Sequence, residues 1–177
     1  MLSPCKKRQG MGGLSIFSYR GAAKEVLFSD SVGESKTMFF YYGKKKDYKY
    51  DTLESLKPFR IGGIVGYFYE EDLKKAGLQV DYAPDELSAI RKLVAGRMEL
   101  LPLNELVGRY HIRKTFSDRQ SDFRTLEKPY SVDALNVIVS KQYPNASALL
   151  ERFNTHLKKV KAGDSYKAIL KKYGIGE

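Results

Sequence analysis

The sequence predicts an α/β fold, and three observations predict it. Short apolar runs rich in β-branched and aromatic residues alternate with segments whose apolar residues recur at helical spacing. Turn signals punctuate the joints between them, notably Gly77, Pro84-Asp85 and Gly96. The chain of 177 residues is long enough for one large domain or two small lobes with a sizeable core. Alternating strands and helices predict largely parallel pairing.

The elements follow in order. Gly13–Tyr19 (GLSIFSY) is compatible with a buried strand, and Val26–Ser35 reads as a short strand entering a loop. Residues 36–43 form an aromatic strand closed by glycine and a lysine run. Asp51-Thr52-Leu53-Glu54 has capping-box spacing, so a short helix starts there and stops before Pro58. Phe59–Val65 is the next strand. Tyr69–Ala76 is a helix ended by Gly77, and Leu78–Tyr82 alternates as a strand.

Pro84-Asp85 opens a helix whose Leu87, Ile90, Leu93 and Val94 share one face, with Gly96 as its terminal glycine. Met98–Leu101 is a short buried strand and Asn104–Ile112 a helix. Residues 115–128 are polar and read as irregular. Val132–Ser140 is a strand. Two helices close the chain, one carrying Leu149, Leu150, Phe153, Leu157 and Val160. After Gly163-Asp164 the other carries Tyr166, Ile169, Leu170 and Tyr173. The segments 36–43 and 132–140 flank the block 53–112, as two crossing strands would flank an inserted lobe.

Composition narrows the function classes. Hydrophobic residues make up 42% and charged residues 29%, which is ordinary for a folded domain and argues against disorder. The single cysteine, Cys5, cannot form an internal disulfide or a multi-cysteine metal site. Leu2-Ser3-Pro4-Cys5 resembles a lipoprotein cleavage box, but no apolar stretch precedes it and the chain as given shows no signal peptide. No run of about 18 apolar residues is present to span a membrane.

The net charge of +10 raises a nucleic-acid reading. The basic residues are scattered over helix faces and turns, so a solvated surface is the reading adopted and no nucleic-acid partner is expected. His111 and His156 lie far apart without metal-ligand neighbours or a nucleophile, and both read as structural. No cofactor and no metal is expected: Gly62-Gly63-Ile64-Val65-Gly66 lacks dinucleotide spacing, and no phosphate-binding loop occurs.

Gly66 follows a strand and precedes a helix. Glycines there let backbone N–H groups approach an anion, or simply make a tight turn with packing aromatics. Asn104 suits the cap of the helix that follows it.

Five ordered segments resemble the family 3 solute-binding proteins that feed amino-acid transporters. They are FSDS (Phe28–Ser31), LESLKPFRIGGIVGYFY, AIRKLVAGRME, YSVDALNVIVSK and the tail LLERFNTHLKKVKAGDSYKAILKKYG. They cover about residues 13–175, and the tail is the most specific piece. The resemblance implies a periplasmic-binding-protein type II-like α/β fold of two lobes joined by two crossing strands. Residues 1–36 plus 129–177 would form an incomplete lobe 1 with the C-terminal helices. Residues 37–128 would form the crossing strand and lobe 2.

The resemblance also implies an interlobe cleft that binds a small polar, amino-acid-like solute for ABC-transporter uptake. Its implied partner is a permease, its location periplasmic, and it is not an enzyme. Gly66, Tyr67, Phe68 and Tyr69 match the turn that receives the ligand carboxylate, with bulky aromatics where the family has a small hydroxyl residue. Asn104 stands where the family places an Asp for the ligand ammonium, with Glu105 beside it. The family's carboxylate-clamping Arg has no counterpart at its usual spacing, and Arg20 or Lys24 is the candidate replacement. A shortened lobe 1 would leave a sheet edge open, so a homodimer by strand exchange is expected.

The alternatives are an enzyme on the same fold, with Glu99 or Glu105 as its cleft carboxylate, and a degenerate homologue that binds nothing.

Overall fold

The computed structural model describes residues 13–15, 25–44 and 47–173. The chain divides into two compact units, Met1–Glu34 with Asp133–Glu177, and Ser35–Val132. It passes from one unit to the other inside two strands, Val26–Tyr42 (β2) and Ser131–Ser140 (β7). No helix of the described residues is long and apolar enough to cross a membrane.

In the first unit, Gly13–Ser15 (β1) pairs antiparallel with β7, Leu14 opposite Val137. The other edge of β7 takes the first half of β2. Buried Ser29 ties these strands together. Its hydroxyl accepts the Val137 N–H at 2.9 Å and its carbonyl accepts the Asn136 amide at 2.8 Å. The helices Ala146–Ala162 (α4) and Asp164–Tyr173 (α5) follow. Val139, Ala146 and Leu150 form the small buried cluster of this unit.

The second unit carries the larger core. Its strands are Ile61–Ile64 (β3), Val80–Ala83 (β4), Leu101–Asn104 (β5) and Phe123–Thr125 (β6), with the second half of β2. The order is β6-β2-β5-β3-β4, the β5–β3 step being a parallel bridge from Leu100 to Ile61. Its helices are Glu70–Lys75 (α1), Glu86–Val94 (α2) and Glu105–Thr115 (α3).

Side chains of a strand alternate between faces. Met38 and Phe40 of β2 therefore join the core beneath α2 and α3, with Leu101 and Leu103. Phe39 and Tyr41 join the opposite core, with Leu56, Tyr69 and Leu73. Gly108 lets α3 settle on Phe40: a Cβ there would lie 2.8 Å from the ring.

Several expectations are corrected. The sheet of the second unit is mixed, because β2 runs antiparallel to both β5 and β6 while only β3, β4 and β5 run parallel. Val26–Tyr42 is one continuous strand with no loop near Gly33, since its first half pairs with β7 and its second half with β5 and β6. The third strand begins later than expected and runs through Pro102, a residue that argues against strand.

Residues 115–128 are not irregular. They hold the last residue of α3, a 3-10 turn at Ser117–Asp122 and β6. The capping box at Asp51–Glu54 does not form. Thr52 is the cap without a side-chain bond, and only a 3-10 turn, Leu53–Leu56, follows. Of the strand expected at Gly13–Tyr19, only Gly13–Ser15 lies among the described residues. Cys5, Arg20 and Lys24 lie outside them.

Leu101 is fully buried between β2 and the helices. Leu101→Ala should cost about 2–5 kcal/mol of unfolding free energy, through lost transfer energy plus a residual cavity. Urea unfolding checks this, with the midpoint falling and the slope unchanged.

Candidate functional site

In an α/β sheet, ligands gather outside the carboxyl ends of parallel strands. Here β3, β4 and β5 end together, at Ile64, Ala83 and Asn104, and are followed by the Gly66 turn, the Asp85 cap and the start of α3. The candidate site is this edge of the second unit.

The chain leaves β3 in a tight turn from Ile64 to Tyr67, closed by the Tyr67 N–H donating to the Ile64 carbonyl at 3.3 Å. Gly66 holds φ at +77°, the left-handed region that the third residue of such a turn demands. Its N–H is the donor that the sequence reading offers to an anion. However, it already donates to Oε2 of Glu70 at 3.0 Å, so the anion slot of the turn holds the protein's own carboxylate.

The three aromatics after Gly66 play different parts. Tyr67 donates its phenol proton to Oε1 of Glu86, joining the turn to the start of α2. Phe68 is 40% exposed, with its ring 5.7 Å from that of Tyr130. Tyr69 is fully buried, and its hydroxyl accepts the Ile64 N–H at 3.1 Å. The Tyr69 side chain is thus a strut beneath the turn and does not face solvent.

At the end of β5, Asn104 caps α3. Its carbonyl oxygen accepts the Val107 N–H at 3.1 Å, and its amide donates to the Ser35 hydroxyl at 2.8 Å. Both halves of the amide are engaged, which is the capping reading. Glu105 receives Nε and Nη2 of Arg109 on one oxygen, at 3.0 and 2.7 Å. Glu99 and Glu105 stand at opposite ends of β5. Glu99 accepts the Arg60 N–H at 3.1 Å, away from the strand-end edge.

Sequence reasoning missed Glu70, Glu86 and Ser35. Glu70 follows Gly66 by four residues, a spacing that could have flagged it as a partner for the turn. Ser35 carried no signal, because its reach to Asn104 comes from the β2–β5 register.

The edge is acidic. Glu70, Asp85, Glu86 and Glu105 occupy first-turn or cap positions, where negative charge complements the helix dipole. Asp85 accepts the Ser88 N–H and hydroxyl, and the N–H above all holds its carboxyl below the usual range. Among the described residues no cluster of ligating side chains could hold a metal.

Two predictions follow from these bonds. Asn104→Ala should lose about 1 kcal/mol with the cap, while Asn104→Asp, which keeps an acceptor, should lose less. Thermal melts of the two variants compare them. Burial pushes the phenols of Tyr67 and Tyr69 well above the usual value of about 10, with Glu86 adding to the shift at Tyr67. Their contribution is therefore complete below about pH 10 and falls as pH rises further, where the unfolded chain releases protons that the folded one keeps. Urea unfolding at a series of alkaline pH values should show this decline, and a flatter one in Tyr67→Phe.

No protein-family model and no curated protein matches the chain. Solved structures do. A mutant of ArgBP from T. maritima is similar at a TM-score of 0.63 and 21% identity, over 93% of this chain and 66% of that one. The GluR0 ligand binding core in complex with L-glutamate is similar at 0.64 and 12%, over 89% and 66%. An ancestral arginine-binding protein bound to glutamine is similar at 0.60 and 24%, over 86% and 65%. The chain spans about two thirds of the length of these structures. Its fold is the periplasmic-binding-protein-like α/β fold.

Proposed function

We propose that the chain is a solute-binding module that takes a small, polar, amino-acid-like solute on the strand-end edge of its second unit. The observation that carries this reading is the convergence of the Gly66 turn with the starts of α2 and α3. A glycine N–H, an exposed aromatic and several carboxylates stand at the ends of adjacent parallel strands. Glutamate and glutamine, bound by two of the similar structures, are of the same chemical class.

Each end of such a solute meets a suitable group. Its carboxylate competes with Glu70 for the Gly66 N–H. Its cationic group meets Glu105, which does at this place what the neutral Asn104 cannot, since an amide does not neutralise an ammonium. Phe68 covers the aliphatic part. By the family resemblance, Arg20 or Lys24 replaces the carboxylate-clamping arginine. On this reading uptake runs through an ABC-transporter permease from the periplasm. Residues 37–128 work as the ligand-holding lobe, and a second copy pairs by strand exchange.

Of the two carboxylates offered by the enzyme alternative, Glu105 stands on the strand-end edge and Glu99 at the other end of β5. A non-binding homologue remains the reading against which the experiment is set.

Thermal melts of the full chain with a panel of amino acids test the proposal. A ligand at a hundred times its dissociation constant stabilises by about 2.7 kcal/mol. At least one amino acid should raise the melting temperature, and Glu105→Gln should weaken its binding by about tenfold. A cooperative melt that no member of the panel moves would favour the non-binding homologue.

A further inference from the structure

We infer that the second unit carries another ligand site, apart from the strand-end edge: a cavity between α3 and β6 that binds a polyvalent phosphate-type oxyanion. The cavity measures about 410 Å³. Arg109 and Arg113 of α3, Arg124 of β6 and Gln120 of the 3-10 turn line it, over an apolar floor that includes Phe40 and Phe123. No carboxylate is among its lining residues.

The fold brings these groups together deliberately. Arg109 and Arg113 are four residues apart and so project from the same helix face. Gly108 draws that helix down onto Phe40, which floors the cavity. On its other edge β2 fixes β6 with Thr125 opposite Phe40 and Arg124 opposite Tyr41. Three arginines from two elements therefore line one concavity, Arg124 from its rim, since its register partner Tyr41 lies on the face opposite Phe40.

Their charges are mostly uncompensated. Arg109 is paired with Glu105. Arg124 donates only to a carbonyl, that of Gly43 at 3.3 Å. Neither Arg113 nor Arg124 forms an ion pair with a described carboxylate. Like charges held in one concavity repel, and a bound anion converts that repulsion into attraction.

The geometry selects the kind of anion. A planar carboxylate is satisfied by one bidentate arginine. Donors arriving from α3, β6 and the 3-10 turn suit a tetrahedral centre that carries more than one charge, and a guanidinium fork matches phosphate oxygens well. The aromatic floor offers apolar contact to an organic substituent. A free phosphate-type ion and a phosphate monoester share this chemistry, and the experiment separates them.

Arg109 of the lining is paired with Glu105 of the proposed solute site, but Arg113 and Arg124, the residues varied in the test, are not, so the two proposals fail independently. Calorimetric titration of the full chain with pyrophosphate, at fixed ionic strength, is the test. Saturable binding at one site is expected. Arg113→Gln and Arg124→Gln should each weaken it by about tenfold. The control Lys74→Gln, an exposed charge on α1, should leave it within about twofold. Both arginines are exposed, so thermal melts should show the variants folded.

Tighter binding of phenyl phosphate than of inorganic phosphate would assign the site to an ester, and equal binding to the free ion. Absence of saturable binding would overturn the proposal. So would equal weakening by all three variants, which marks diffuse attraction to a +10 chain, or citrate binding as tightly as pyrophosphate.

Discussion

The burial of Phe39 and Phe40 on opposite faces of β2 is the constraint on which the second unit depends. Both rings are essentially inaccessible to water, and each anchors a different core. Removing a side chain of this size from water is worth about 1.5–3 kcal/mol. A one-residue slip of β2 would exchange the two rings between cores, so the register is strongly specified. That register then sets the rest. Thr37 lies opposite Asn104, which places the start of α3 at the strand-end edge. Phe40 lies opposite both Leu101 and Thr125, which holds β5 and β6 on the two sides of the strand.

The same strand explains how a chain of net charge +10 presents surfaces of both signs. On the strand-end edge, acidic residues occupy helix starts, where the dipole favours them: Glu70, Asp85, Glu86 and Glu105. Further along α3 and on β6, arginines line the cavity above Phe40. The Glu105–Arg109 pair is the seam between the two regions. Both members are partly exposed, so the pair contributes little to stability and instead orients its two side chains.

How much of this was legible in the sequence differs by element. The helices at Glu86–Val94, Ala146–Ala162 and Asp164–Tyr173 were legible because apolar period and end signals agree there: Asp85 caps the first, Gly96 closes it at φ +69°, and Gly163 separates the last two. β6 was not legible. Its three residues, Phe123–Thr125, are too few to show a period and lie in a polar stretch. What makes them strand is the unpaired edge of β2 beside Tyr41, a long-range fact. The antiparallel sense of β2 was hidden for the same reason. Of the site, the Gly66 turn and the Asn104 cap were legible as local chemistry. The Tyr67–Glu86 and Asn104–Ser35 contacts were not, because they join residues 19 and 69 positions apart.

Tyr69 shows why the turn is a fixed feature and not a consequence of ligand. Its hydroxyl takes the Ile64 N–H inside the core, and its ring packs edge-on to Tyr130 at 6.1 Å. Val65 extends the β3–β4 ladder by donating to Ala83 at 3.0 Å. The backbone of the turn is therefore determined from below by the core and from the side by the sheet. Glu70 completes it from above through the Gly66 N–H. On the proposed reading an arriving carboxylate exchanges one charge-assisted hydrogen bond for another of the same kind, so that contact alone yields little net affinity. Discrimination must then come from groups that are not already satisfied by an equivalent partner. On this edge that points to the second oxygen of Glu105, since Arg109 occupies only one oxygen of that carboxylate. On the proposed reading a solute that carries a cation gains from that oxygen, whereas a simple anion does not.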